Sequence, residues 1–370
     1  MKVILERAHL LKSLARIHRV VERRNTIPIL SNVALRADGA GLRLKATDLD
    51  LEAVEQVAAM TEDSGATTVP AHMFYDIVRK LPDGAQVKLE TRGESALTVE
   101  AGRTRFELQA LPESDFPDLT AGQFSHAFAI PVSDLKRLID RTQFAISVEE
   151  TRYYLNGIFL HAVEEGAPRL RAVATDGHRL AKTEVPAPRG AEGMPGIIVP
   201  KKTVGEVQKL LDGAEGEAQI ELSSTKIRVS LGEVVLTSKL IDGTFPDYQR
   251  VIPQNNDKVM DVDRASFAAA VDRVSTVASE RGRAVKMALT SEQLVLSVTN
   301  PDSGSATDEL VADYDGPALE IGFNSKYLLD ITDQLETGTA RFLLADPGAP
   351  TLIQDADGSD TLYVLMPMRV

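Results

Sequence analysis

Thr175-Asp176-Gly177-His178-Arg179-Leu180 decides the fold of this chain, because its first two residues are the middle one of three evenly spaced copies. Thr47-Asp48 lies 128 positions earlier and Thr299-Asn300 lies 124 later. Phe116-Pro117-Asp118 returns 129 residues on as Phe245-Pro246-Asp247. Val69-Pro70 returns 130 on as Val199-Pro200, with Phe323-Asn324 a further 124 along. Collinear matches at one spacing mark an internal repeat, and a repeat outranks local motifs in deciding an architecture. The chain reads as three copies of one domain, over 1–122, 123–254 and 255–370, with boundaries in the polar stretches Ala121-Gly122-Gln123 and Gln254-Asn255-Asn256-Asp257.

Each repeat reads as helix, strands, second helix, strands. In the first, Leu10, Leu14, Ile17 and Val21 fall on one stripe of a helix predicted over 9–23. Lys12, Arg16, Arg19 and Arg23 take the same spacing on its opposite side, four bases without an acid among them. Further helices are predicted over 71–81, 133–142, 201–211, 264–274 and 325–335, the third of the six carrying Arg137 and Arg141 outward. Alternating strands follow the turns at Asp38-Gly39 and Ala101-Gly102. Helices packed on antiparallel sheets make an α+β class.

Each of three repeats in 370 residues is long enough to bury its own core. The hydrophobic share is 43%, and no apolar run approaches the roughly 18 residues of a membrane span. A charged Met1-Lys2-Val3-Ile4-Leu5-Glu6-Arg7 start argues against a secretory signal. No cysteine is present, so disulfide and thiolate chemistry are excluded and a cytoplasmic location is expected. The net charge of −13 argues against an open surface that grips nucleic acid. Basic residues gathered on one face would still give an acidic protein a positive channel.

Catalytic signatures are absent. There is no P-loop, no Gly-x-Ser-x-Gly elbow, and the six histidines are scattered without a cysteine to help them hold zinc. Gly39-Ala40-Gly41 reads as a turn, not a dinucleotide fingerprint. Asp48, Asp176 and Asp247, with His178, are the best acid–base or metal-binding candidates, but they stand at turn-like positions where Asp side chains bond nearby backbone N–H groups. No metal and no cofactor is expected.

Arg152-Tyr153-Tyr154-Leu155-Asn156-Gly157, the Thr175 stretch continued to Ala181, Phe245-Pro246-Asp247-Tyr248 and Met366-Pro367-Met368-Arg369, in this order and spacing, closely resemble the bacterial sliding-clamp family, the beta subunit of DNA polymerase III. The likeness runs over essentially the whole chain. It implies a homodimeric ring of six domains with helices lining the hole and sheets outside. It implies processivity for a replicative polymerase without catalysis. Double-stranded DNA would be encircled, and the polymerase catalytic subunit, a clamp loader and other replication or repair proteins would be bound through short peptides. The resemblance places DNA-facing roles at Arg24, Arg152, Tyr153 and Tyr154, alongside the basic helix residues above. It implies a peptide pocket built from Leu155, Thr175, Gly177, His178, Arg179, Leu180, Pro246, Arg250, Val251, Asn324, Tyr327, Val364, Met366, Pro367, Met368 and Arg369. Methionines and aliphatics suit an adaptable apolar floor, and the arginines suit a polar rim. It also places the strand bearing Arg103 and Arg105 at the dimer interface, opposite Asp302, Asp308 and Glu309, with Phe106 and Val277 as apolar support. Two rival readings stay open: a metal-dependent nuclease using the repeated aspartates, and a protein-only scaffold whose basic helices face solvent.

Overall fold

The computed structural model describes residues 1–119, 122–279 and 283–370; Ala121, in the first expected boundary, lies outside them. Six α-helices occur among the described residues: α1 (Arg7–Ile17), α2 (Ala71–Lys80), α3 (Val132–Asp140), α4 (Lys201–Leu211), α5 (Arg264–Ser275) and α6 (Ser325–Thr332). All strand pairings are antiparallel or continue antiparallel sheets, giving the α+β class expected.

α1 stops six residues short of its predicted end. Leu10, Leu14 and Ile17 are fully buried as the stripe requires. Beyond them the Arg19 guanidinium donates to the Ala15 carbonyl at 2.8 Å, taking the acceptor that the next helical N–H would need. Tight turns follow, Val20 N–H to the Ile17 carbonyl and Val21 N–H to the His18 carbonyl. Arg19 and Arg23 therefore lie outside the helix, and Val21 is buried through a turn and not through helical periodicity.

The chain divides into two compact units, Met1–Val132 with Gly205–Leu240, and Ser133–Val204 with Ile241–Val370. In the first, a five-stranded sheet runs in the order Met60–Asp63, Lys2–Glu6, Gln86–Arg92, Ala96–Ala101, Thr104–Gln109. An eight-stranded sheet in the same unit joins His126–Pro131, Glu217–Leu222, Lys226–Leu231 and Val234–Lys239 to Leu51–Val57, Gly41–Thr47, Asn32–Asp38 and Gly65–Pro70. The joint is the antiparallel pair of Val234–Lys239 with Leu51–Val57, in which Thr237 faces Glu52. The second unit has the same construction. Its nine-stranded sheet is joined where Thr361–Leu365 pairs with Arg179–Pro186, Val364 facing Leu180. Its four-stranded sheet ends on Gly304–Val311.

The turns that lead into the two joints are the same turn. Thr47 Oγ1 accepts from Leu49 N–H at 3.0 Å, and Thr175 Oγ1 from Gly177 N–H at 3.1 Å. Asp48 Oδ1 accepts from the N–H groups of Asp50 and Leu51, and Asp176 Oδ1 from those of His178 and Arg179. Both turns need a left-handed residue, Leu49 at φ 78° and Gly177 at φ 89°. A leucine in that region costs about 1–2 kcal/mol that a glycine avoids. In urea unfolding, Leu49→Gly is expected to raise the unfolding free energy and Gly177→Ala to lower it, each by roughly 1 kcal/mol; shifts of the same sign would refute the equivalence.

Candidate functional site

The apolar floor of a concave site lies in the second unit. Leu155, Val173, Leu180, Ile198, Phe245, Tyr248 and Val364 form one buried cluster, with Tyr154, Phe159, Ile241, Ile252 and Leu362 packed against it. Above it opens a cavity of about 270 Å³ lined by Arg152, Tyr154, Leu155, Thr175, Gly177, Arg179, Leu180, Pro246, Asp247, Tyr248, Val251, Val364 and Met366. Nine of the sixteen residues expected for a peptide pocket are in that lining. Their placement follows from local structure: alternate strand residues Leu180 and Val364 share a face across the joint, and the Thr175–Gly177 turn brings its backbone to the rim.

The other seven expected residues lie elsewhere. Asn324 caps α6, its Oδ1 accepting from the N–H groups of Lys326 and Tyr327. His178 lies 6.5 Å from the Tyr327 ring, and its carbonyl accepts from Met366 N–H at 2.9 Å. Met368 N–H donates to the Gly322 carbonyl at 2.7 Å, which holds the segment with Pro367 and Arg369 along Leu319–Asn324. Arg250 points out to solvent and pairs with Asp247 at 2.8 Å. His178 and Met366 thus link the cavity to Tyr327 and to the C-terminal segment.

Arg179 lines the cavity and is also a strut of the fold. It is 8% exposed; its Nε donates to Asp176 at 3.1 Å, Nη1 to Asp330 at 2.6 Å and Nη2 to the Phe144 carbonyl at 2.7 Å. Its guanidinium also lies 4.2 Å from the centre of the Tyr327 ring. The three hydrogen bonds fix the turn and α6. Asp247 departs from its expected turn role too, since its carboxylate holds Arg250 and caps no backbone N–H.

Arg152 and Tyr154, expected to face nucleic acid, line the cavity. Arg152 Nε donates to Glu149 at 2.8 Å, and its guanidinium occupies the space a Cβ at Gly177 would need. Among the lining residues, Asp247, Tyr248, Arg152 and Tyr154 were not read as pocket residues from the sequence. Tyr248 carried a signal, standing next to the repeated Phe245-Pro246-Asp247 mark. Its hydroxyl bonds His161 Nε2 at 3.0 Å and Arg171 Nη1 at 2.9 Å, and burial lowers the His161 pKa.

The remaining basic candidates divide by partner. In the first unit Arg16 bonds Glu55 at 2.7 Å and Arg19 bonds Glu206 at 2.9 Å, whereas Lys12, Arg23 and Arg24 are exposed. In the second, Arg141 pairs with Glu336 at 2.7 Å and Arg137 with the same carboxylate at 3.6 Å, while Tyr153 is 53% exposed. Of the interface candidates, Arg103 sits in the Gly102-Arg103 turn and only Arg105 and Phe106 are in the strand, which is the exposed edge of its sheet. Asp308 lies in the edge strand Gly304–Val311 and bonds Arg273 at 2.7 Å; Glu309 follows it, Asp302 precedes the strand, and the Val277 carbonyl accepts from Asn300. Among the described residues no three His, Cys, Asp or Glu side chains group as a metal site.

With this geometry in place, the comparisons are unambiguous. The chain matches the DNA polymerase III beta subunit family in all its parts: the N-terminal domain over residues 1–120, the central domain over 129–247 and the C-terminal domain over 249–369. It is 50% identical to the beta sliding clamp of Caulobacter vibrioides over 372 residues and 40% identical to that of Escherichia coli K12 over 373, covering all of each chain. Among solved structures, a sliding clamp from Bartonella birtlesii bound to griselimycin is 57% identical with a TM-score of 0.98, each chain covered completely. A Pseudomonas aeruginosa sliding clamp is 41% identical at TM-score 0.94, again with full coverage. The chain belongs to the DNA polymerase III beta subunit family, the beta sliding clamps.

Proposed function

We propose that two copies of this chain close into a ring around duplex DNA and that the ring gives processivity to the replicative polymerase, holding it through the pocket described above. The chain performs no bond chemistry; it is the non-catalytic processivity subunit of its polymerase. The three-repeat division at 1–122, 123–254 and 255–370 belongs to the same proposal.

One observation carries ring closure. Each internal joint pairs the last strand of one repeat with a strand of its neighbour, Val234–Lys239 on Leu51–Val57 and Thr361–Leu365 on Arg179–Pro186. The corresponding strands left over, Thr104–Gln109 and Gly304–Val311, are both sheet edges. Open edges of this kind are templates for pairing. Setting one copy's Thr104–Gln109 against another's Gly304–Val311 repeats the internal joint, and a head-to-tail contact that closes after two copies makes a ring. Carrying over the register of Glu52 on Thr237 and of Leu180 on Val364 sets Glu107 opposite Ser305, Arg105 opposite Thr307 and Arg103 opposite Glu309 of the second copy. Phe106, 37% exposed in the free chain, would be covered there.

Lys12, Arg23, Arg24 and Tyr153 are then the exposed groups for DNA, with Arg16, Arg19, Arg137, Arg141 and Arg152 balanced by carboxylates. Enclosure retains the duplex and adhesion need not. Partner peptides, from the polymerase catalytic subunit, the clamp loader and other replication or repair proteins, would seat apolar side chains on Leu155, Leu180, Val364 and Met366. No helix among the described residues is long and apolar enough to cross a membrane, and we place the protein in the cytoplasm.

A ring loaded onto nicked circular plasmid should stay on through a high-salt wash and leave once the plasmid is linearised. Its salt slope should be shallow, since each neutralised phosphate contributes about −0.9 to it. Loss on washing, with no response to linearisation, would replace the clamp by an adhesive DNA binder or a scaffold. For the interface, Arg103→Glu with Arg105→Glu is expected to give monomers in light scattering, because the basic pair is lost and a like charge then faces Glu309 across the new joint; an unchanged dimer would remove that edge from the contact.

A further inference from the structure

The face that floors the pocket continues past it. Leu180 faces Val364 beneath the cavity, and two residues along the same strands Lys182 faces Leu362. That pair lies on the floor of a second cleft, of about 440 Å³, lined also by Arg171, Tyr248, Gln249 and Gln254. Tyr248 is the wall between the two, contributing to both linings. Two residues of extended chain span about 6.6–6.8 Å, so a peptide lying over Leu180 and Val364 reaches Lys182 with two more residues.

The charges in this second cleft are unevenly matched. Arg171 Nε bonds Glu184 at 2.7 Å and its Nη1 holds the Tyr248 hydroxyl at 2.9 Å. Glu184 and, more weakly, Asp360 also act on Lys182, but neither bonds it: Glu184 holds Arg171, and Asp360 pairs with Arg169 at 3.6 Å. Glu165 is exposed at the mouth. Lys182 is half-buried, and its ammonium has no hydrogen-bond or ion-pair partner among the described residues. Burial, then the Arg171 charge, holds its pKa below the usual lysine value. A half-buried ammonium with no carboxylate bonded to it is stabilised by an anion brought into contact, and the amide groups of Gln249 and Gln254 at the same cleft can donate to that anion.

We propose that this cleft is an anion-accepting extension of the peptide pocket, where Lys182 takes the carboxylate of an acidic residue flanking the apolar core of a partner peptide. The inference rests on the reading of the first cavity as a peptide site. A free anion would gain only the contacts of this cleft, whereas a carboxylate on a peptide already seated beyond Tyr248 gains them at high effective concentration.

Fluorescence anisotropy with the full chain tests this. The reference probe is a fluorescein-labelled Leu-Ser-Leu-Ser-Leu peptide, whose alternate apolar side chains match the strand spacing of the floor. Longer versions carry Asp-Asp, Ser-Ser or Lys-Lys at one end or the other. One Asp-Asp peptide is expected to bind about five-fold tighter than its Ser-Ser counterpart, the advantage vanishing in Lys182→Met and passing to the Lys-Lys version in Lys182→Glu. Equal binding of the Asp-Asp and Ser-Ser peptides, or an advantage that survives in Lys182→Met, would overturn the extension while leaving the first pocket intact. Failure of the reference peptide itself to bind would overturn the pocket reading and this proposal with it.

Discussion

Backbone pairing across the repeat boundary is the constraint on which the site depends. The pocket floor has two rows, Leu180 from Arg179–Pro186 and Val364 from Thr361–Leu365, and they are neighbours only because those strands form a ladder. In a strand, side chains alternate between faces, so a slip of one residue would turn Val364 away and present Tyr363 or Leu365. Both of those are fully buried on the opposite face, where the Tyr363 ring packs near Phe144 at 5.7 Å. The ladder's register is therefore held from both sides of the sheet. Arg179 secures its end, tying the turn to α6 through Asp176 and Asp330.

The first unit forms the same joint with other side chains at the shared positions, Glu52 facing Thr237 where the second has Leu180 facing Val364. Glu52 holds the register position that Leu180 holds in the second, and it is fully buried. Its Oε2 accepts from Leu119 N–H at 3.1 Å and lies 3.8 Å from the Lys45 ammonium, while Oε1 has no partner. Burial raises its pKa, as expected for a carboxylate with so little compensation. A carboxylate bonded to the connecting backbone closes the position that a leucine leaves apolar and open. Repetition of the backbone thus did not repeat the site; the side chains at the shared register positions differ, a buried carboxylate facing Thr237 in one joint and Leu180 facing Val364 in the other.

Much of this was legible in the sequence because it is written three times. The Thr-Asp marks fall at the turns into the joints, and the span of α4 follows from Val204, Val207 and Leu211 alone. The end of α1 was not legible, since the basic spacing continues through Arg19 and Arg23 and only the fold puts the Arg19 guanidinium on the Ala15 carbonyl. The family resemblance assigns Arg179 to the pocket, and the pattern around it gives no sign of its structural role. Asp330, which engages it, lies 151 residues away, and no local pattern joins them. Arg152 pairs with Glu149, a partner visible at three residues' spacing, but its place in the cavity lining depends on the missing Cβ of Gly177 across the fold.

Charge balance follows from the same economy of contacts. The chain carries 54 acidic and 41 basic residues, and its candidate DNA-facing arginines are largely held by carboxylates such as Glu55, Glu206 and Glu336. Glu55 and Glu206 are themselves mostly buried, so they cannot swing away from their arginines as surface acids would. An arginine held in this way still presents a positive edge, but binding a phosphate through it would mean weakening an existing pair of about the same strength. A protein that must retain DNA by adhesion would gain from freeing those arginines. One that retains it by enclosure gains from keeping them held, because each tight phosphate contact would have to break for the protein to advance along the duplex.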